Sequence, residues 1–132
     1  MKTGSYQDLK VWQRGIELVE VVYKITTQLP SDERFALASQ LQRSAVSVPS
    51  NIAEGYKRHN IKEYIQFYGI AAGSLAELET QLIILGKIYP EVRLSNVLEK
   101  TDSLQAMLYV MIRELRKKNS KTPVRGPLHA VS

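Results

Sequence analysis

SAVSVPSNIAEGYKR, residues 44–58, has the hydrophobic spacing of a helix, yet it carries Pro49 in its middle and Gly55 near its end. Ala45, Val48 and Ile52 step by three and four through the proline. The same steps reach back to Ala38 and Leu41 and forward to Gly55 and Tyr56. A proline inside a helix removes a backbone donor and presses on the carbonyl four residues earlier, at ~3 kcal/mol. A chain break near Val48 would shift the hydrophobic phase, and the phase does not shift. The spacing therefore favours one kinked helix over two, with Ser44, Ser47 or water reaching the freed Ala45 carbonyl.

Working outward, the preceding segment holds Leu9, Trp12, Ile16, Val19 and Tyr23 on one stripe and Val11, Leu18, Val22, Ile25 and Leu29 on a second. Lys10, Gln13, Glu17, Glu20 and Lys24 keep a polar stripe, with Glu20 and Lys24 spaced for an ion pair. Pro30 and Ser31 end this helix and start the next. Downstream, Asn60 with Glu63 reads as an N-cap pair. Behind it Ile61, Tyr64, Tyr68, Ala71, Leu75, Leu78, Leu82, Leu85 and Tyr89 hold one phase until Pro90. A fourth stripe runs Leu94, Val97, Thr101, Leu104, Leu108, Met111 and Leu115.

No window alternates with period two, so the class is all-α. Short links at 29–32, 58–60 and 90–93 make successive helices antiparallel neighbours. The expected fold is an up-down-up-down, left-handed four-helix bundle over residues 1–118 with a kinked second helix. Residues 119–132, with two prolines, a glycine and no periodicity, read as a disordered basic tail.

The net charge of +5 is unevenly placed. Residues 1–112 balance twelve Lys/Arg with twelve Asp/Glu, whereas residues 113–132 hold six Lys/Arg against Glu114 alone. Lys57, Arg58, His59 and Lys62 form a second basic group beside Tyr56 and Tyr64. In the expected topology the 58–60 turn and the end of the fourth helix share a pole. Lys57, Arg58, Lys62, Arg113, Arg116, Lys117 and Lys118 are therefore candidate phosphate contacts for RNA or DNA. The competing reading is a solubilising charge run, since RELRKK itself lacks an aromatic for base stacking. Gln40, Ser44, Ser47, Asn51 and Glu54 form a periodic polar stripe, and Gln66, Gly73, Ser74, Glu77 and Gln81 a looser band. Either these are solvated faces, or Arg43, Ser47, Asn51, Glu54, Ser74 and Glu77 line a polar seam between helices or subunits.

Much chemistry is disfavoured. There is no cysteine and no Glu-x-x-His, and His59 and His129 stand apart, so no metal or cofactor is expected. Glu77 and Glu79 lie on different faces of a helix, and nucleophile elbow and phosphate-loop motifs are missing, so no enzyme is expected. The opening MKTGSYQDLK lacks the apolar run of a signal peptide, and no uncharged stretch is long enough to span a bilayer. A cytoplasmic location away from membranes is the expectation.

The runs YQDLKVWQRGIEL (6–18), LASQLQRSAVSVPSNIAEGYKR (37–58) and EYIQFYGIAAGSLAELETQL (63–82) resemble the bacterial four-helix bundle family of 23S rRNA intervening sequence proteins. The resemblance covers roughly residues 6–118. It implies a bundle that assembles as a homopentamer, consistent with the double stripe of the first helix. Its members were first noticed as reading frames inside insertions in large-subunit rRNA genes. The bundle is also similar to accessory variability proteins of diversity-generating retroelements, basic pentamers that work with a reverse transcriptase and its RNA. The family pattern marks Arg43, Ser47, Pro49, Asn51, Glu54, Gly55, Ser74, Glu77 and Glu79 without assigning them a ligand. Two functions follow as expectations: an oligomeric RNA-associated accessory protein, or a scaffold whose pentameric surface docks a partner protein such as a reverse transcriptase.

Overall fold

The structure, a computed structural model, describes residues 5–121, the side chain of Lys121 excepted. A 3-10 turn at Tyr6–Asp8 is capped by Ser5, whose Oγ accepts the Gln7 N–H at 3.1 Å. It leads into α1 (Lys10–Thr26), and Tyr6 meets Trp12 edge to face at 5.5 Å. Next come α2 (Leu37–Tyr56), α3 (Ile61–Ile88) and α4 (Ser95–Lys121), with no strand among the described residues. The chain is an all-α four-helix bundle. Around it α1 packs on α2, α2 on α3, α3 on α4 and α4 on α1.

The buried faces follow the periodicities. Leu18 and Val22 of α1, Leu41, Val48 and Ile52 of α2, Leu75, Leu82 and Leu85 of α3, and Leu104 and Leu108 of α4 meet in one core. On α1 the second stripe is the deep one, while Leu9, Trp12, Ile16 and Val19 are half-buried and Tyr23 stays 45 % exposed. One bundle core takes only about a hundred degrees of a helix, so the rest of this wide apolar face is left outside.

α2 runs unbroken through Pro49, which is buried against α1. A Cβ on Gly15 would lie 3.1 Å from the Pro49 Cβ. Ser44 and Ser47 do not serve the Ala45 carbonyl as expected, because both hydroxyls are engaged with α3. Nearby carbonyls gain side-chain donors instead: Ser50 Oγ donates to Val46 O and Asn51 Nδ2 to Ser47 O, each at 2.8 Å.

Three further expectations are corrected. Ser31 does not start α2. It opens a separate 3-10 turn, Ser31–Glu33, and α2 begins at Leu37, because the intervening residues have no apolar face to bury and Phe35 is 87 % exposed. Glu33 is held by the far loop, accepting the Tyr89 hydroxyl at 2.5 Å. Glu20 and Lys24 form no ion pair; exposed pairs gain little in water, and neither side chain is held there. α4 continues through Lys121, so Asn119–Lys121, assigned to the tail, are helical. The remainder of the expected tail, including His129, lies outside the described residues. Among the described residues, no helix is long and apolar enough to cross a membrane.

Candidate nucleic-acid interface

Tyr109, Arg113, Arg116 and Lys117 fall at steps of four, seven and eight, which puts them on one face of α4. That face borders a groove of about 760 Å3 whose other wall is α3 at Gly69 and Ala72. Tyr109 is 67 % exposed, and the Arg113 guanidinium lies 5.9 Å from its ring centroid. Among the described residues Glu114 is the one carboxylate paired here, 3.6 Å from Arg113 Nε and 3.4 Å from Lys117 Nζ. Both pairs are exposed, a class worth ~0–1 kcal/mol, so an anion can displace them at little cost. Arg116 makes no hydrogen bond or ion pair with another described residue. Lys118, one position further along the helix, does not line the groove.

The basic turn between α2 and α3 is organised differently. Asn60 caps α3, its Oδ1 accepting the Glu63 N–H at 2.8 Å. Lys57 and Lys62 are exposed on either side of this cap. Arg58 is committed within the chain: it is paired with the Glu54 carboxylate, donates to the Glu54 carbonyl at 3.2 Å and stacks over Phe67 at 5.0 Å. The aromatic neighbours expected to interleave with these cations turn inward. Tyr56 meets Tyr64 at 6.1 Å and Tyr64 meets Tyr68 at 4.8 Å, edge to face. Burial raises the Tyr64 phenol above its ordinary value and pushes the Tyr68 phenol well above the usual range. The exposed ring that stands beside cations is instead Tyr109.

The polar stripe forms a seam between α2 and α3. Ser44 donates to Gln81 Oε1 at 2.7 Å, and both side chains are buried. Ser47 and Ser74 share a hydrogen bond of 2.8 Å, to which Asn51 adds a donor at 2.9 Å from Ser47 Oγ. Two predicted members stand off from this group. Arg43 bonds Ser39 on its own helix, and Glu54 turns to Arg58. Glu77 reaches the seam only through Gln81 Nε2 at 3.4 Å, beside a small groove of about 250 Å3. On the α4 side of α3, Glu79 neighbours Asp102, and burial first, then that second carboxyl, raises the Glu79 carboxyl above the usual range.

Sequence reasoning missed Gly69, Ala72, Tyr109 and Ile112 in the groove and Ser44 with Gln81 as the buried centre of the seam. The signal for Tyr109 was present, one turn ahead of Arg113 on the same face. No described group of three His, Cys, Asp or Glu residues could hold a metal ion, and His59 is exposed.

A comparison with curated proteins found no match. A comparison with protein families did: the runs that build α1, the seam and the core, within residues 7–110, match the family described as 23S rRNA-intervening sequence protein, and the chain belongs to that family.

Proposed function

We propose that the protein is a non-enzymatic, homo-oligomeric accessory protein of the cytoplasm that holds RNA by its phosphates at the groove between α3 and α4. The observation that carries this reading is the convergence of Arg113, Arg116 and Lys117 on one groove, with Glu114 alone opposing them among the described residues. The exposed Lys57 and Lys62 extend the positive surface around the start of α3. The family match ends at residue 110, ahead of these groove cations. The RNA contact is thus proposed for this chain's own residues.

Counterion release sets the test. Each phosphate neutralised contributes about −0.7 to −0.9 to the slope of log affinity against log salt. Fluorescence anisotropy with a structured RNA, run from low to high salt, should show affinity falling steeply for the full chain. The triple variant Arg113→Glu, Arg116→Glu, Lys117→Glu should bind all RNA sequences more weakly and alike. Salt-independent binding, or an unaffected triple variant, would overturn the reading.

The second reading, a scaffold for a partner protein, is favoured by a different face. Ile70, Ile83, Ile84 and Ile88 of α3 are exposed. Ile84 and Ile88 adjoin one turn apart, and adjoining exposed apolar side chains call for a cover. The proposed assembly of copies, a pentamer by resemblance, would supply one; a partner such as a reverse transcriptase would be the alternative.

A further inference from the structure

We infer that the α3–α4 groove takes an unpaired nucleotide of single-stranded RNA, its base laid on Tyr109 and its flanking phosphates on Arg113, Arg116 and Lys117. This rests on the RNA reading above and narrows it. A purely electrostatic grip on duplex needs a charged surface but no cavity. Here the cations surround a groove of about 760 Å3, a size typical of small-ligand sites. Its lining includes the ring of Tyr109, left 67 % exposed, and Ile112 beside it. Every base has a π-face, so stacking on such a ring tolerates any sequence. With Arg113 already against the ring, a stacked base joins an existing cation–π arrangement.

The opposite wall makes room. A Cβ added at Gly69 would meet nothing within 4 Å, so open space lies where a side chain would otherwise project. A duplex cannot use this space, because its bases are stacked within the helix and its deep groove is too narrow to read. A second copy of the same face would bring the same cations against these, which charge repulsion opposes. Phosphates complement them.

The test uses the full chain at low salt with two probes, a short unstructured RNA and a fully paired RNA hairpin with a minimal loop. The single strand should bind about tenfold more tightly or better, the scale on which base–aromatic stacking acts. Tyr109→Ala should forfeit that advantage and leave duplex affinity unchanged, whereas Tyr109→Phe should keep it. Gly69→Leu should block the groove without lowering the melting temperature, since no atom opposes the new side chain at its base. Equal affinity for the two RNAs, with Tyr109→Ala indifferent, would overturn the unpaired-nucleotide site while leaving phosphate binding intact. Failure of both RNAs to bind at low salt would overturn both readings. A Gly69→Leu variant that changes the mass of the assembly but not RNA affinity would assign the groove to a second copy and refute the inference.

Discussion

Two glycines inside helices have opposite meanings. Gly55 of α2 is buried, and a Cβ there would sit 3.0 Å from Phe67 Cβ, 3.0 Å from Tyr68 Cδ1 and 3.2 Å from the Tyr64 carbonyl. Its missing side chain is what lets α3 approach. Gly55→Ala should destabilise the chain by ~1–3 kcal/mol, the usual range for overpacking, as read from denaturant melts. Gly69 has nothing within 4 Å, so Gly69→Ala should stabilise by ~0.5–1 kcal/mol through helix propensity alone. A loss from the second substitution, or none from the first, would contradict this contrast. Tyr89 makes a third local case. Its hydrogen bond to the Glu33 carboxylate, with burial second, pushes the phenol up to about 12 from the ordinary 10.0. A pKa raised on folding stabilises fully below the unfolded value and loses its contribution as pH rises through the folded one. Melts taken from about pH 9 to 12 should therefore show Tyr89→Phe less stable than wild type at the lower end, with the gap closing upward. A pH-independent gap would mean that Tyr89 is not bonded to Glu33 as an acid.

At the scale of elements, α2 and α3 are joined by a polar seam set into an apolar interface. Gln81 and Ser44 are both buried, and the Gln81 carbonyl oxygen takes its donor from the Ser44 hydroxyl. Ser44→Ala should cost ~1–3 kcal/mol, because it leaves the Gln81 carbonyl oxygen without its donor. Adding Gln81→Leu removes the orphan, and the double variant should recover most of the loss. Additive losses in that cycle would show that the two groups act independently. Pro49 belongs to the same scale. It loses a backbone bond within α2 but packs on Gly15 of α1, and the spacing of Ala45, Val48 and Ile52 announced that the helix would continue past it. What the spacing did not announce was the link before α2. Residues 31–36 contain apolar Phe35, yet nothing there repeats at helical steps, and α2 starts where Leu37 packs on the core and Ala38 is buried.

For the whole molecule, exposed apolar surface is the unresolved element of stability. Ile84 and Ile88 on α3 and Tyr23 on α1 remain in water in the single chain. Tyr23 stands apart, since α1 makes no contact with α3, whereas Ile84 and Ile88 adjoin one turn apart, and adjoining exposed apolar surface marks an interaction site. If the proposed assembly covers α3, Ile84→Glu should shift the light-scattering mass from an oligomer towards the monomer while helix content by circular dichroism stays the same. A wild-type chain that is already monomeric would remove the assembly, and an unchanged oligomer would move the contact to another face.

The sequence by itself determined the four helices, the faces they bury, the Asn60 cap and the passage of α2 through Pro49. Each is set by steps of three and four or by a cap within one turn, and such information is local. The tertiary structure alone decided which polar residues matter. Arg58 looked available for phosphates and is held by Glu54 and Phe67, whereas Tyr109 escaped attention and stands open beside three cations. Ser44 and Gln81, 37 residues apart, became partners only when α2 and α3 packed. The physical reason is common to all three: a hydrogen bond or a groove depends on distances between residues remote in the chain, and periodicity within one helix carries no record of its neighbour.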